Sequence, residues 1–349
     1  MKEITYREAI NEALMEEMAR DERVFIIGEF VSNEPFGTHK GLYHKFGKER
    51  VRDTAISEAA IVGSCVGAAL AGRRPIARLD FVDFAMIAAD EIFHKAAKWR
   101  YCHGGKQTLP IVYRLGIGGY IGACVEHSQC LEALFMHTPG LKLAIPSTPY
   151  DVKGLLKTAI RDNNPVVFLE HKLLLGDKGG VPEDEYTIPF GIADIKREGK
   201  DVTVVATGYM IKLTLGVADQ LKDRGISVEI VDPRTLEPLD IDTIVNSVKK
   251  TKRMVIVDED TLRCGVTGEI GMQIMEKAFD DLDAPIQRVA AANLPIPGGL
   301  LERYVLPQPQ GIADAIGVVL GIKERLTVNS LENLTLHASE KIYYQYKEK

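Results

Sequence analysis

The sequence predicts an α/β protein with two domains, each built on a mostly parallel sheet. Short apolar runs of strand length alternate with longer amphipathic segments of helix length. The alternation occurs twice. Between the two series lies a stretch rich in Gly, Pro and charge, which reads as a domain linker. The 349 residues suffice for two cores of ordinary size.

The elements follow in order. Thr5 to Arg20 is a helix opened by a Thr cap with Glu8 three positions on. Val24 to Gly28 is a strand, Ser57 to Ala71 a Ser-capped helix, Pro75 to Leu79 a strand and Phe84 to Trp99 a helix. A strand at Ile111 to Leu115, a helix at Ser128 to Met136 and a strand at Lys142 to Pro146 come next. A helix at Tyr150 to Arg161 and a strand at Val166 to Glu170 complete the first series. Leu173 to Gly199 breaks the rhythm. The second series has strands at Val202 to Thr207, Val228 to Val231, Met254 to Val257 and Ile286 to Ala290. Its helices fall at Lys212 to Arg224, Ile241 to Lys250, Glu269 to Phe279 and Ala313 to Leu320. The domains are therefore 1–190 and 191–325, with a polar, aromatic tail of unknown role over 326–349.

Composition narrows the function. Hydrophobic residues make up 46% and charged residues 26%, a globular balance. A net charge of −6 argues against a general nucleic-acid binder. No apolar run has membrane-helix length. The charged N-terminus resembles neither a signal nor a transit peptide, so the expected compartment is the cytoplasm. The five cysteines, Cys65, Cys102, Cys124, Cys130 and Cys264, include no C-x-x-C pair. Reduced, buried thiols are the plain reading, left open for Cys124 and Cys130.

Four constellations carry candidate chemistry. TAISEAAIVG puts Glu58 in the first turn of a helix, where a carboxylate also serves simply to complement the dipole. Gly63, Gly67 and Ala71 then form a small-residue stripe suited to internal packing or to a subunit contact. DFVDF places Phe84 after a parallel strand, where α/β folds put ligands, although a phenylalanine there is commonly core. EHSQCLEAL places His127 after the glycine loop GIGGYIGA, which lacks phosphate-loop spacing. TAIRDNNPVV ends a helix at Arg161. Its terminal carbonyls, with Asp162 and Asn164, either ring a cation or form an ordinary capped turn.

These pieces, with RVRDTAISE, GRRPIARLDFVDF, DEIFHKAAKW, HTPGLKLAIPS, DVKGLL and DPRTLEPLD, resemble the β subunits of pyruvate, branched-chain 2-oxo acid and acetoin dehydrogenases. The resemblance runs from about Ile4 to about Arg325. It implies a pyrimidine-binding domain for thiamine diphosphate followed by a transketolase C-terminal-like α/β domain. It also implies an α2β2 heterotetramer with an α subunit, a 2-oxo acid or acetoin substrate, and acyl transfer to a lipoyl acyltransferase component. By resemblance, Glu58 is the cofactor-activating glutamate, Phe84 lies against the aminopyrimidine and His127 lies near the reacting carbon. Ile111, Ala159, Ile160, Asp162 and Asn164 match a structural potassium site formed mainly by backbone oxygens. Family α subunits hold the diphosphate and Mg2+ with a GDG motif, which this chain lacks. A partner is therefore expected to supply that end.

The chain departs from the family at Ala55, Glu126 and Arg78, and in lacking a proline after Arg114. These departures bear on substrate and acceptor rather than on the cofactor. Two alternatives remain beside this reading: the pyrimidine-domain subunit of a split transketolase-like enzyme, and a non-catalytic docking subunit.

Overall fold

A computed structural model describes residues 1–33 and 36–329. The tail expected over 326–349 therefore lies, from residue 330 on, outside the described residues. The chain divides into two compact units. The first comprises Met1–Ile117, Leu134–Phe190 and Thr235–Pro238. The second comprises Gly118–Ala133, Gly191–Arg234 and the chain from Leu239 onward.

In chain order the first strands are β1 (Lys2–Thr5), β2 (Val24–Gly28), β3 (Val51–Asp53), β4 (Arg74–Leu79) and β5 (Val112–Ile117). They continue as β6 (Lys142–Ala144), β7 (Val166–His171) and β8 (Lys178–Val181). Then come β9 (Asp194–Arg197), β10 (Val202–Ala206), β11 (Val228–Asp232), β12 (Thr235–Glu237), β13 (Met254–Thr261) and β14 (Gln287–Ala291). The helices are α1 (Tyr6–Arg20), α2 (Leu42–Phe46), α3 (Glu58–Leu70), α4 (Ala97–Cys102) and α5 (Glu132–Met136). They continue with α6 (Pro149–Arg161), α7 (Tyr209–Lys222), α8 (Ile241–Thr251), α9 (Val266–Ala278) and α10 (Pro309–Val319).

The first unit holds a seven-stranded sheet of order β12-β6-β7-β5-β4-β2-β3. It is parallel except for β12, which runs antiparallel to β6. The interior strands β4, β5 and β7 are buried along their full length, as a sheet covered on both faces requires. Helix α1 starts where the sequence predicts. Thr5 Oγ1 accepts the Glu8 N–H, and the Glu8 carboxylate accepts the Thr5 N–H at 2.7 Å. Helix α6 is fixed by charge as well as by apolar packing. Lys153 and Lys157, 2% and 0% exposed at their side chains, pair with Glu16 on α1 at 2.7 Å each. Arg161 pairs with Glu17, which is fully buried. Ion pairs let those long cationic stems cover apolar surface.

The helix expected over Phe84 to Trp99 is broken in the structure. Val82–Met86 is 3₁₀, Asp90–Ala96 is wound as π-helix, and only Ala97–Cys102 is α. A π-turn inserts an extra residue, so an apolar period of 3.6 cannot reveal it. The linker predicted over Leu173 to Gly199 contains two short strands. Strand β8 pairs with β1, and β9 pairs antiparallel with β11 at the edge of the second sheet.

The second unit carries a five-stranded sheet of order β14-β13-β10-β11-β9, parallel except at β9. By its contacts, the segment Gly118–Ala133 groups with this unit. No described helix is long and apolar enough to cross a membrane.

Candidate active site

Sheet order brings the candidate residues of the first unit together. Strands β4, β2 and β3 are neighbours. Phe84 follows β4, Glu29 follows β2, and the loop after β3 leads to Glu58. The C-terminal ends of parallel strands are where this class of sheet binds ligands. The Thr54 N–H donates to the Gly28 carbonyl at 3.0 Å, tying that loop to the end of β2.

Glu58 is the first residue of α3 and is 5% exposed. Its N-cap, Ser57, makes no side-chain capping bond, so the Glu58 carboxylate stands in a first turn that no Ser57 hydroxyl closes. Glu29, missed by the sequence reading, ends the apolar run IIG. Burial, then the charges of Glu58 and Asp80, push its carboxyl above the usual range. The signal that could have found it was a carboxylate directly after a parallel strand. Glu29 Oε1 and Thr54 Oγ1 are shielded from water without a hydrogen-bond partner among the described residues. Phe84 lies on the 3₁₀ turn after β4, half-buried, edge-on to Phe81 with ring centroids 6.1 Å apart.

Arg78 belongs to a buried cluster. Its Nε donates to Asp80 at 3.1 Å and another guanidinium nitrogen donates to Glu170 at 3.2 Å. Arg114, fully buried, also donates to Glu170, at 2.6 and 2.9 Å. His39 meets Arg114 at 2.8 Å. Burial, then the two guanidiniums, hold that imidazole well below its ordinary pKa and therefore neutral. The basic residue that departs from the family pattern is thus compensated by carboxylates rather than left as an open anion site.

His127 lies in the second unit, half-buried, between exposed Glu126 and buried Ser128. Its loop is closed at the base, where the Gly118 N–H donates to the Gln129 carbonyl at 3.1 Å. Gly118 and Gly122 take φ of 94° and 71°, values a side chain would oppose. All five cysteines are free. Cys130 is buried, and burial followed by the carboxylates of Glu132, Glu259, Asp258 and Asp260 pushes its thiol up, which makes it inert. Cys124 is exposed.

The five cation-site positions gather at the end of α6 and beside it. Ile111 O accepts the Val166 N–H at 2.9 Å and Ala159 O accepts the Asp162 N–H at 3.2 Å. Ile160 O accepts Arg74 Nε at 2.9 Å. The Asp162 carbonyl meets Arg74, and its carboxylate meets Lys142. Burial raises that carboxyl, but Lys142 and the Asn164 N–H outweigh it and hold it below the usual range. Asn164 Oδ1 accepts from Arg100 at 2.7 Å. Each carbonyl retains a second lone pair. Of the small-residue stripe, Gly63 packs on Glu91 within the chain, and Gly67 faces open space.

Comparison with known proteins gives the class first. Residues 2–178 match the transketolase pyrimidine-binding domain, and residues 191–312 match the transketolase C-terminal domain. A split-gene transketolase, solved as an inactive β4 tetramer, superposes with a TM-score of 0.74 over 92% of this chain and 99% of that one. At 24% identity it shows a shared fold. The subunit beta of acetoin:2,6-dichlorophenolindophenol oxidoreductase from Cupriavidus necator is 46% identical over 327 residues, covering 90% of this chain and 96% of that one. The 2-oxoisovalerate dehydrogenase subunit beta from Bacillus subtilis is 44% identical over 321 residues, covering 90% and 98%. The chain belongs to the family of β subunits of thiamine diphosphate-dependent 2-oxo acid and acetoin dehydrogenases.

Proposed function

We propose that this chain is the β subunit of a dehydrogenase that cleaves a 2-oxo acid or acetoin with thiamine diphosphate and passes the acyl fragment to a lipoyl group. The observation that carries the reading is the buried Glu58 at the start of α3, beside a neighbouring strand end bearing Glu29. The unpartnered Glu29 Oε1 and Thr54 Oγ1 fit a polar heterocycle, which would satisfy them. When bound, thiamine diphosphate supplies a nucleophilic carbon and an electron sink. The protein's part is orientation and proton handling.

Glu58, shielded from water, would hydrogen-bond the ring nitrogen of the aminopyrimidine. Glu29, whose carboxyl is pushed above the usual range by burial and by the charge of Glu58, backs that site with a second carboxyl. Phe84 would offer an aromatic surface to the pyrimidine. His127 moves protons at the reacting carbonyl.

The diphosphate and Mg2+ are assigned to an α subunit, whose GDG motif this sequence lacks. The proposed assembly is an α2β2 heterotetramer served by a lipoyl acyltransferase. Exposed apolar side chains support an assembly. Ile56, Met86 and Ile87 are 71%, 52% and 60% exposed on the first unit. Met272 and Phe279 line a groove of about 710 Å³ on the second. A potassium ion would take the second lone pairs of Ile111, Ala159 and Ile160, beside Asp162 and Asn164. The split transketolase shares the fold at 24% identity, whereas the dehydrogenase β subunits reach 44–46% identity.

The test is Glu58→Gln in the assembled enzyme, read as turnover of a 2-oxo acid or acetoin with a dye acceptor. A loss of about 10²–10⁴-fold is expected, the usual worth of a positioned proton-transfer group. Full turnover would leave the docking-subunit reading in place.

A further inference from the structure

The loop carrying His127 has little regular structure of its own, and carboxylates of the second unit hold its backbone. Glu259 Oε1 accepts the Gly119 N–H at 2.6 Å, and Asp260 Oδ2 accepts the Ala133 N–H at 3.2 Å. These two grip its ends. Between them, Glu302 reaches both flanks of the histidine. Its Oε2 accepts the Gly122 N–H at 3.0 Å, and its Oε1 accepts the Ser128 hydroxyl at 3.4 Å. Glu302 is 4% exposed and sits on the 3₁₀ turn Gly299–Tyr304. The same turn donates back, since the Gly299 N–H bonds the Gly122 carbonyl at 3.2 Å. Tyr120 anchors to the Pro307 carbonyl at 2.6 Å. By contrast, Cys124, Val125 and Glu126 at the loop's outer edge are exposed.

We propose that Glu302 is the positioning residue for His127, one buried carboxylate bridging Gly122 and Ser128 so that the imidazole is held in one place. The idea rests on the reading that His127 handles protons in the reaction. A group of this kind matters through geometry, because a displacement of about 1 Å at a proton-transfer group costs on the order of a hundredfold in rate. Glutamine preserves the bridge. Its oxygen can accept the Gly122 N–H, and its amide can donate to Ser128 Oγ. Alanine removes it.

The experiment uses the assembled enzyme with Glu302→Ala, Glu302→Gln, His127→Ala and the Glu302→Ala/His127→Ala double variant. Amide hydrogen exchange is measured alongside kcat and KM. In Glu302→Ala, exchange over 122–128 should rise about tenfold or more while β10 and β13 stay protected. In the same variant kcat should fall about ten- to a hundredfold with KM held within about twofold. Glu302→Gln should restore both. The double variant should be no slower than His127→Ala alone. Unchanged exchange over 122–128 in Glu302→Ala overturns the proposal. So does exchange that rises throughout the second unit, because Glu302 would then merely hold the fold. If His127→Ala keeps full turnover while Glu302→Ala loosens the loop, the role of His127 falls and the bridge stands.

Discussion

Asp258 at the end of the second sheet shows how strongly one buried carboxylate can couple this protein to pH. Burial, then the charge of Asp260, pushes it to about 7. Its neighbours are Glu132, fully buried with Oε2 unpartnered among the described residues, together with Glu259, Asp260 and Cys130. The Thr207 hydroxyl donates to Asp258 at 2.9 Å and the Asp260 N–H at 2.7 Å. The unfolded chain releases this proton near 3.8, as an ordinary aspartate does, and the folded chain near 7. Between those values the folded state binds more protons, so stability falls as pH rises through the window and the cost is complete above it. Asp258→Asn should therefore raise Tm by about 2–4 °C at about pH 8, with a gain that shrinks at about pH 5. Thermal melts of both proteins at the two pH values check this, and an equal gain at both would mean that Asp258 is ionised throughout. At the same scale, the sequence pointed to Glu58, Phe84 and His127 because they sit in distinctive phrases. It did not point to Glu29 or Glu302. Glu29 stands in an apolar run, and Glu302 matters only through contacts to Gly122 and Ser128, some 180 and 174 positions away.

At the scale of elements, local chemistry decided what the sequence could reveal. Helix α1 begins at its Thr5–Glu8 box because both halves of the signal lie within four residues. Strand β2 matches its apolar run from Val24 to Gly28. Strands β9 and β12, only four and three residues long, were missed because nothing local requires them. Their pairing with β11 and β6 makes them strands. Loop Gly118–Ala133 was assigned by position along the chain, but backbone donors to distant carboxylates place it with the second unit. The end of α6 carries the element-scale prediction. Arg74, Lys142 and Arg100 already meet the oxygens there. A potassium ion bound through the remaining lone pairs would stabilise the folded state by mass action. Replacing choline chloride with potassium chloride at constant ionic strength should raise Tm by about 2–4 °C. No difference between the two salts would remove potassium from the account and leave the three basic side chains as the closure of that turn.

For the whole molecule, we propose that this chain needs a partner subunit to complete its catalytic site. It brings Glu58, Glu29 and Phe84 to the ends of adjacent strands and carries His127 on a loop of its second unit. It has the fold of the pyrimidine-binding and C-terminal parts of transketolase but no GDG motif. The overall class was legible because strand and helix periods alternate twice across a Gly- and Pro-rich break. The expected assembly came only from resemblance, since a subunit surface has no period of its own. The most direct measurement is thiamine diphosphate binding by calorimetry with magnesium present, first on this chain alone and then with its co-expressed α subunit. The account predicts magnesium-dependent binding only when the partner is present. Tight binding by this chain alone would contradict it, because the diphosphate would then have a site that this account assigns to another subunit.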